Sequence, residues 1–89
     1  MVDADAWYNK GNALLSIAKT MDALICYNHV LEIDPMKLGA LYNKALLEYT
    51  LGRTHDAILS YKRFIEIAPR DDSQWLENAR KKLKELEGK

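Results

Sequence analysis

The sequence contains a single cysteine, Cys26, which rules out an internal disulfide and any zinc site built from several thiolates. A reducing cytosol is the expected compartment, so cytoplasmic residence is the expectation. An excess of charge of either sign is also missing: thirteen Lys and Arg balance thirteen Asp and Glu, with an isoelectric point near 6.7. The basic field of a nucleic-acid binder and a polybasic membrane patch are therefore excluded. No apolar run approaches the roughly 18 residues that span a bilayer. The opening Met-Val-Asp-Ala-Asp lacks the basic-then-apolar order of a secretion signal. Glycine is scarce, and Gly11, Gly39, Gly52 and Gly88 never fall at the spacing of a phosphate-cradling loop, so no cofactor is expected. What is present is a core: 48% of the 89 residues are apolar and 29% charged, the balance of one folded unit spanning residues 1–89.

The chain repeats itself at a fixed period. Pro35 and Pro69 are related by a shift of 34, each preceded by Glu-Ile and one further residue. The same shift carries Tyr27 to Tyr61, Asp22-Ala23 to Asp56-Ala57, Thr20 to Thr54, and Tyr8-Asn9-Lys10 to Tyr42-Asn43-Lys44. A third register places Trp75 one period after Leu41 and Ala79 one period after Ala45, and then stops about halfway. The architecture is two full repeats and a half: about 4–37, 38–71 and a capping helix at about 72–87.

Inside each repeat the apolar spacing is helical. Trp7, Gly11 and Leu14 share one face, as do Ala23, Tyr27, Val30 and Leu31. Thr20 and Thr54 are the expected N-caps, Asp22 and Asp56 sit in first turns against the helix dipole, Gly52 stops one helix, and Pro35 and Pro69 close two others. Five helices follow, at about 4–17, 21–33, 38–51, 54–67 and 72–87, and the fold class is all-α. The last helix is expected to start at Asp71 or Asp72, with Gln74 completing a capping box. Its expected inward stripe is Trp75, Ala79, Leu83 and Leu86, with Glu77, Arg80, Lys81, Lys84 and Glu85 outside to keep a short array soluble.

A helix-turn-helix unit of this period with Trp, Gly, Ala, an aromatic and a closing Pro resembles the tetratricopeptide repeat. Trp7, Gly11, Ala23, Tyr27 and Pro35 carry the resemblance in one repeat, and Leu41, Ala45, Ala57, Tyr61 and Pro69 in the next. Small residues at Gly11, Ala45, Ala23 and Ala57 suit helices that approach closely. Lys10 and Lys44 stand where the family often has Leu, and Glu48 where it has a large apolar residue. The lysines are expected to pack by their stems. Glu48 needs a partner, and Lys44 and Lys82 are the candidates. The resemblance implies a right-handed α-solenoid of antiparallel helix pairs, whose first helices line a concave groove that binds a peptide segment of a partner protein.

Catalytic and metal chemistry find little support. Cys26 and His29 are three apart on one helix, but no third ligand or activating group accompanies them, so neither an enzyme nor a metal site is expected. The groove residues are the better candidates: Tyr8, Asn12 and Leu15 form a second stripe on the first helix, and Tyr42, Leu46 and Tyr49 its counterpart on the third. Asn9 and Asn43 lie beside them and Arg80 toward one end. Tyrosines offer contact area and a hydroxyl at low entropic cost. Tetratricopeptide co-chaperones that grip a carboxylate tail use two Asn and three basic groove residues. Asn12 and Asn43 match the former, but Tyr8, Ser73 and Glu77 replace the latter. The resemblance therefore implies a general peptide groove, with the two asparagines binding peptide backbone. The alternative reading is a self-associating structural module, a homo-oligomer stacking through its ends.

Overall fold

A computed structural model describes residues 3–69 and 73–88 of the chain. All regular structure among them is helical: α1 (Ala4–Ser16), α2 (Thr20–Ile33), α3 (Leu38–Thr50), α4 (Thr54–Ile67) and α5 (Gln74–Glu87). Each helix packs on its neighbours in the chain, α1 on α2, α2 on α3, α3 on α4 and α4 on α5. The result is an α-solenoid of two antiparallel pairs closed by a capping helix, with extents of 40 × 27 × 19 Å. None of these helices is long and apolar enough to cross a membrane.

Two tyrosines in the same place of successive repeats anchor the two halves of the core. Tyr27 is packed with Ala23, Leu24, Val30, Ala40 and Leu47, and Tyr61 with Leu41, Ala45, Ala57, Phe64 and Leu76. Leu31 touches both groups and joins them. The ring of Tyr27 lies so close to α1 that a Cβ at Gly11 would stand 2.9 Å from its Cε1, which is why the helices meet at that glycine. Ala45, at the matching place against the second pair, is fully buried.

The turns inside the two pairs are the same motif. Lys19 N–H donates to Leu14 O (2.9 Å) and Ala18 N–H to Leu15 O (3.0 Å); one period later Arg53 N–H donates to Glu48 O (2.8 Å) and Gly52 N–H to Tyr49 O (3.1 Å). This is the Schellman pattern, whose pivot residue must be left-handed. Gly52 has φ +77° there, and Ala18 has φ +61°. Alanine in that region is strained by about 1 kcal/mol. Ala18→Gly should therefore raise stability by roughly 0.5–1 kcal/mol. Gly52→Ala should lower it by about 1 kcal/mol. A Cβ at Gly52 meets nothing within 4 Å, so only backbone strain is at stake. Urea midpoints that move in opposite directions at constant m would bear this out.

This turn also displaces the expected caps. Thr20 and Thr54 are the first helical residues, while Lys19 and Arg53 take the cap position and supply no side-chain acceptor. The second orphan-satisfying residue of the Schellman turn is already the cap of the next helix, so so short a connection leaves no place for a Thr cap. Asp3 caps α1, accepting from Ala6 N–H at 2.9 Å, and Ser73 caps α5, accepting from Leu76 N–H at 3.3 Å. Asp71 and Asp72, the caps expected from sequence, lie outside the described residues, and the Gln74 side chain donates to Asn78 instead.

The buried stripe of α5 is Leu76, Ala79 and Leu86, with Leu83 half-buried. Trp75, expected in that stripe, is 53% exposed. The reason lies in the repeat. Trp7 stacks on His29 of α2, and Leu41 is buried with residues of α4, so this position packs against the second helix of its own pair. No second helix follows α5 among the described residues, and the Trp75 ring meets Tyr42 (centroids 4.7 Å apart) at the edge of the layer.

Candidate functional site

Helices α1, α3 and α5 stand side by side, linked across the layers by side chains. Lys37 Nζ pairs with Asp5 (2.9 Å) and lies over the Tyr8 ring, and the Tyr8 hydroxyl stands over Gly39, where a Cβ would come within 2.5 Å of it. Tyr42 meets Tyr61, Phe64 and Trp75 edge-on. Tyr49 donates to Glu85 Oε1 (2.7 Å) while Lys82 Nζ sits 4.3 Å from its ring centroid. The three tyrosines of the sequence-predicted stripe are thus half-buried seams between layers. Leu15 packs against the first core cluster. Asn9 and Arg80 are exposed, and Leu46 is half-buried.

Asn12 and Asn43 are brought together by a residue that sequence reasoning treated only as core. The Tyr27 hydroxyl donates to Asn12 Oδ1 (2.6 Å), and Asn43 Nδ2 donates to the same hydroxyl (3.3 Å) and toward Asn12 Oδ1 (3.5 Å). Burial pushes the Tyr27 hydroxyl above the usual tyrosine range, an effect that the Asn43 hydrogen bond partly opposes. Tyr27 therefore stays a neutral hydroxyl able to donate and accept at once. These bonds take up Asn12 Oδ1 and Asn43 Nδ2. They also leave Asn12 Nδ2 and Asn43 Oδ1 without a partner among the described residues. One donor and one acceptor, held side by side, match the two polar groups of a peptide unit.

Behind this face, Glu48 is a buried carboxylate, 4% exposed. Ser60 donates to its Oε1 at 2.6 Å and Lys44 Nζ lies 3.6 Å from its Oε2. Lys82, the other expected partner, is on Tyr49 instead. Ser60→Ala should cost about 1–3 kcal/mol, because a buried acceptor loses its donor. Glu48→Leu removes the buried charge altogether and should be close to neutral or stabilising. Thermal melts of the two variants test this, and a large loss for Glu48→Leu would contradict it.

Cys26 is buried. His29 stacks on Trp7 (centroids 4.3 Å apart), with its Nδ1 3.7 Å from Glu32. No group of three His, Cys, Asp or Glu side chains among the described residues is placed to hold a metal ion.

Family models described as tetratricopeptide repeat match residues 4–37 and, immediately after, residues 38–71. The chain belongs to the tetratricopeptide repeat family. A tetratricopeptide repeat domain protein from Salinibacter ruber, solved as a crystal structure, is similar over 98% of this chain and 98% of its own at 28% identity, with a TM-score of 0.81. A solution structure of such a domain from the same organism is similar over 97% of this chain and 88% of its own at 29% identity, with a TM-score of 0.78. No curated protein matches the chain. Tetratricopeptide repeats are generally protein–protein interaction modules, typically non-enzymatic scaffolds. On this tetratricopeptide array the open pair on Asn12 and Asn43 lies between the first helices of successive repeats. Sequence reasoning found Asn12 by its helical stripe, Asn43 as the repeat of Asn9, and the two together by the resemblance to the co-chaperone groove, whereas the hydroxyl that organises them belongs to α2, and no helical stripe joins the three.

Proposed function

We propose that the protein is a cytoplasmic, non-enzymatic adaptor that takes an extended or helical segment of a partner protein along the face formed by α1, α3 and α5. The observation that carries this reading is the unspent donor and acceptor on Asn12 and Asn43, oriented by Tyr27. Leu46 offers an apolar contact beside them, Asn9 a further amide, and Arg80 a charge at one end. The tyrosines serve by fixing the spacing of the three helices. With neutral amides at its centre, the site favours apolar anchors over charge, so affinity is modest and changes little with salt.

A peptide-array screen followed by titration of the hits tests the reading. Leu46→Glu should weaken binding by about tenfold or more, a loss of ~1.4 kcal/mol. Raising salt should move the affinity far less than in a carboxylate clamp or a nucleic-acid site. Hits that ignore Leu46→Glu, or that are lost on modest addition of salt, would contradict the reading.

A further inference from the structure

Tyr27 and Tyr61 hold the same place in successive repeats, yet only one of the two hydroxyls is satisfied. The Tyr27 hydroxyl bridges Asn12 and Asn43 between α1 and α3. One period on, Leu46 stands in the place of Asn12 and Glu77 in that of Asn43. Leu46 has no polar atom to offer, and the Tyr61 hydroxyl makes no hydrogen bond to any described residue. The residue is nevertheless 1% exposed. No side-chain oxygen sealed from water lacks a partner among the described residues, so the small area that Tyr61 still exposes includes its hydroxyl oxygen. A hydroxyl so poorly wetted and unmatched by the protein gains from a partner that a ligand brings.

The groups around this hydroxyl place it at the seam of α3 and α5. Its ring meets Tyr42 edge-on, with centroids 6.4 Å apart. Burial pushes its pKa above the usual tyrosine range, and Tyr42, Tyr49 and Glu48 of α3 and Glu85 of α5 add to the effect. It is therefore a neutral donor, and beside those carboxylates a neutral carbonyl is a better acceptor for it than an anion.

Spacing decides the conformation of what it can bind. Neighbouring helices stand about 8–10 Å apart, so the Tyr61 hydroxyl lies about that far along the groove from the asparagine pair. An extended left-handed chain with three residues per turn and about 3.1 Å per residue brings like-facing carbonyls round every ~9.3 Å, all free of internal hydrogen bonds. A flat strand returns to the same face every two residues, about 6.6 Å, and an α-helix spends its carbonyls on itself.

We propose that the Tyr61 hydroxyl is a second hydrogen-bonding point of the groove, donating to a main-chain carbonyl of the partner segment three residues from the one held at Asn12 and Asn43. This rests on the groove reading and narrows it: the segment crosses α3 toward α5 in the threefold extended conformation that proline-rich chains adopt.

The test compares the full-length protein with Tyr61→Phe and Leu46→Glu on an array of random synthetic peptides, with titration of the hits. Tyr61→Phe should melt like the parent yet bind the hits about fivefold more weakly. Esters placed in turn along the backbone of a hit, each a poorer acceptor than the amide it replaces, should weaken binding to the parent at two places three residues apart. One of the two should become silent in Tyr61→Phe, which marks direct contact. Hits weakened by Leu46→Glu but bound equally by Tyr61→Phe would overturn the proposal while leaving the groove reading intact. Ester-sensitive places two residues apart, the period of a strand, would overturn the threefold conformation. Hits that ignore both variants would overturn the groove reading and this inference with it.

Discussion

Tyr27→Ala and Tyr61→Ala are each expected to remove about 3–5 kcal/mol of stability, as truncating a large buried aromatic does. Both rings are essentially inaccessible to water, at 0% and 1% exposure, and each is the centre of its half of the core. An array of this length holds stability on the order of 5–10 kcal/mol, so either loss is a large part of the whole. The two variants should fail in different places, because each layer of a solenoid contacts only its neighbours. Amide exchange should accelerate first in α1 and α2 for Tyr27→Ala, and in α3, α4 and α5 for Tyr61→Ala. The matching phenylalanine variants separate the hydroxyls. Tyr27→Phe leaves the two asparagines facing each other at 3.5 Å without their bridge and should cost about 1 kcal/mol. Tyr61 has no hydrogen-bond partner among the described residues, so Tyr61→Phe should be nearly silent. Equal effects at the two positions would contradict the network.

Leu76→Ala should cost about 2–5 kcal/mol, whereas Trp75→Ala should cost about 1 kcal/mol or less. Leu76 is 1% exposed in the core shared by α4 and α5; the larger side chain beside it is half in water. The order is the reverse of what residue size suggests, and it follows from α5 presenting its 76, 79, 83 and 86 stripe inward. Removal of residues 73–88 should uncover Phe64 and Ala68 and cause aggregation. Chemical denaturation of the two point variants decides the question. A greater loss from Trp75→Ala would return the tryptophan to the core and contradict the capping geometry.

The period of 34 made most of this architecture legible. It located five helices, the small residues at the close approach, the paired tyrosines and the closing prolines, because each recurs and each has one steric reason to be there. What the period could not convey is where the copies differ. Ala18 adopts the left-handed pivot that its counterpart Gly52 fills without strain, since the backbone hydrogen bonds of the turn impose it. Trp75 keeps the position of Trp7 and Leu41 but not their surroundings. For Tyr8, Tyr42 and Tyr49 helical spacing gives a direction, not a distance to the next helix, so it does not convey that Tyr8 lies over Gly39, Tyr42 against Trp75 and Tyr49 against Glu85. The Glu48–Ser60 and Asn12–Tyr27–Asn43 contacts join different helices, and stripe analysis of one helix at a time does not reach them.

The most direct test of the account is the side-chain amide NMR spectrum of Asn12 and Asn43 on addition of an array-selected peptide. Binding of peptide backbone to the open donor and acceptor predicts large, saturable shifts of the Asn12 Nδ2 protons and a smaller response at Asn43, whose own Nδ2 stays on Tyr27. Both responses should disappear in Leu46→Glu. Saturable binding that leaves both amides unmoved while resonances of α2 and α4 respond would place the interaction on the opposite face and contradict the account.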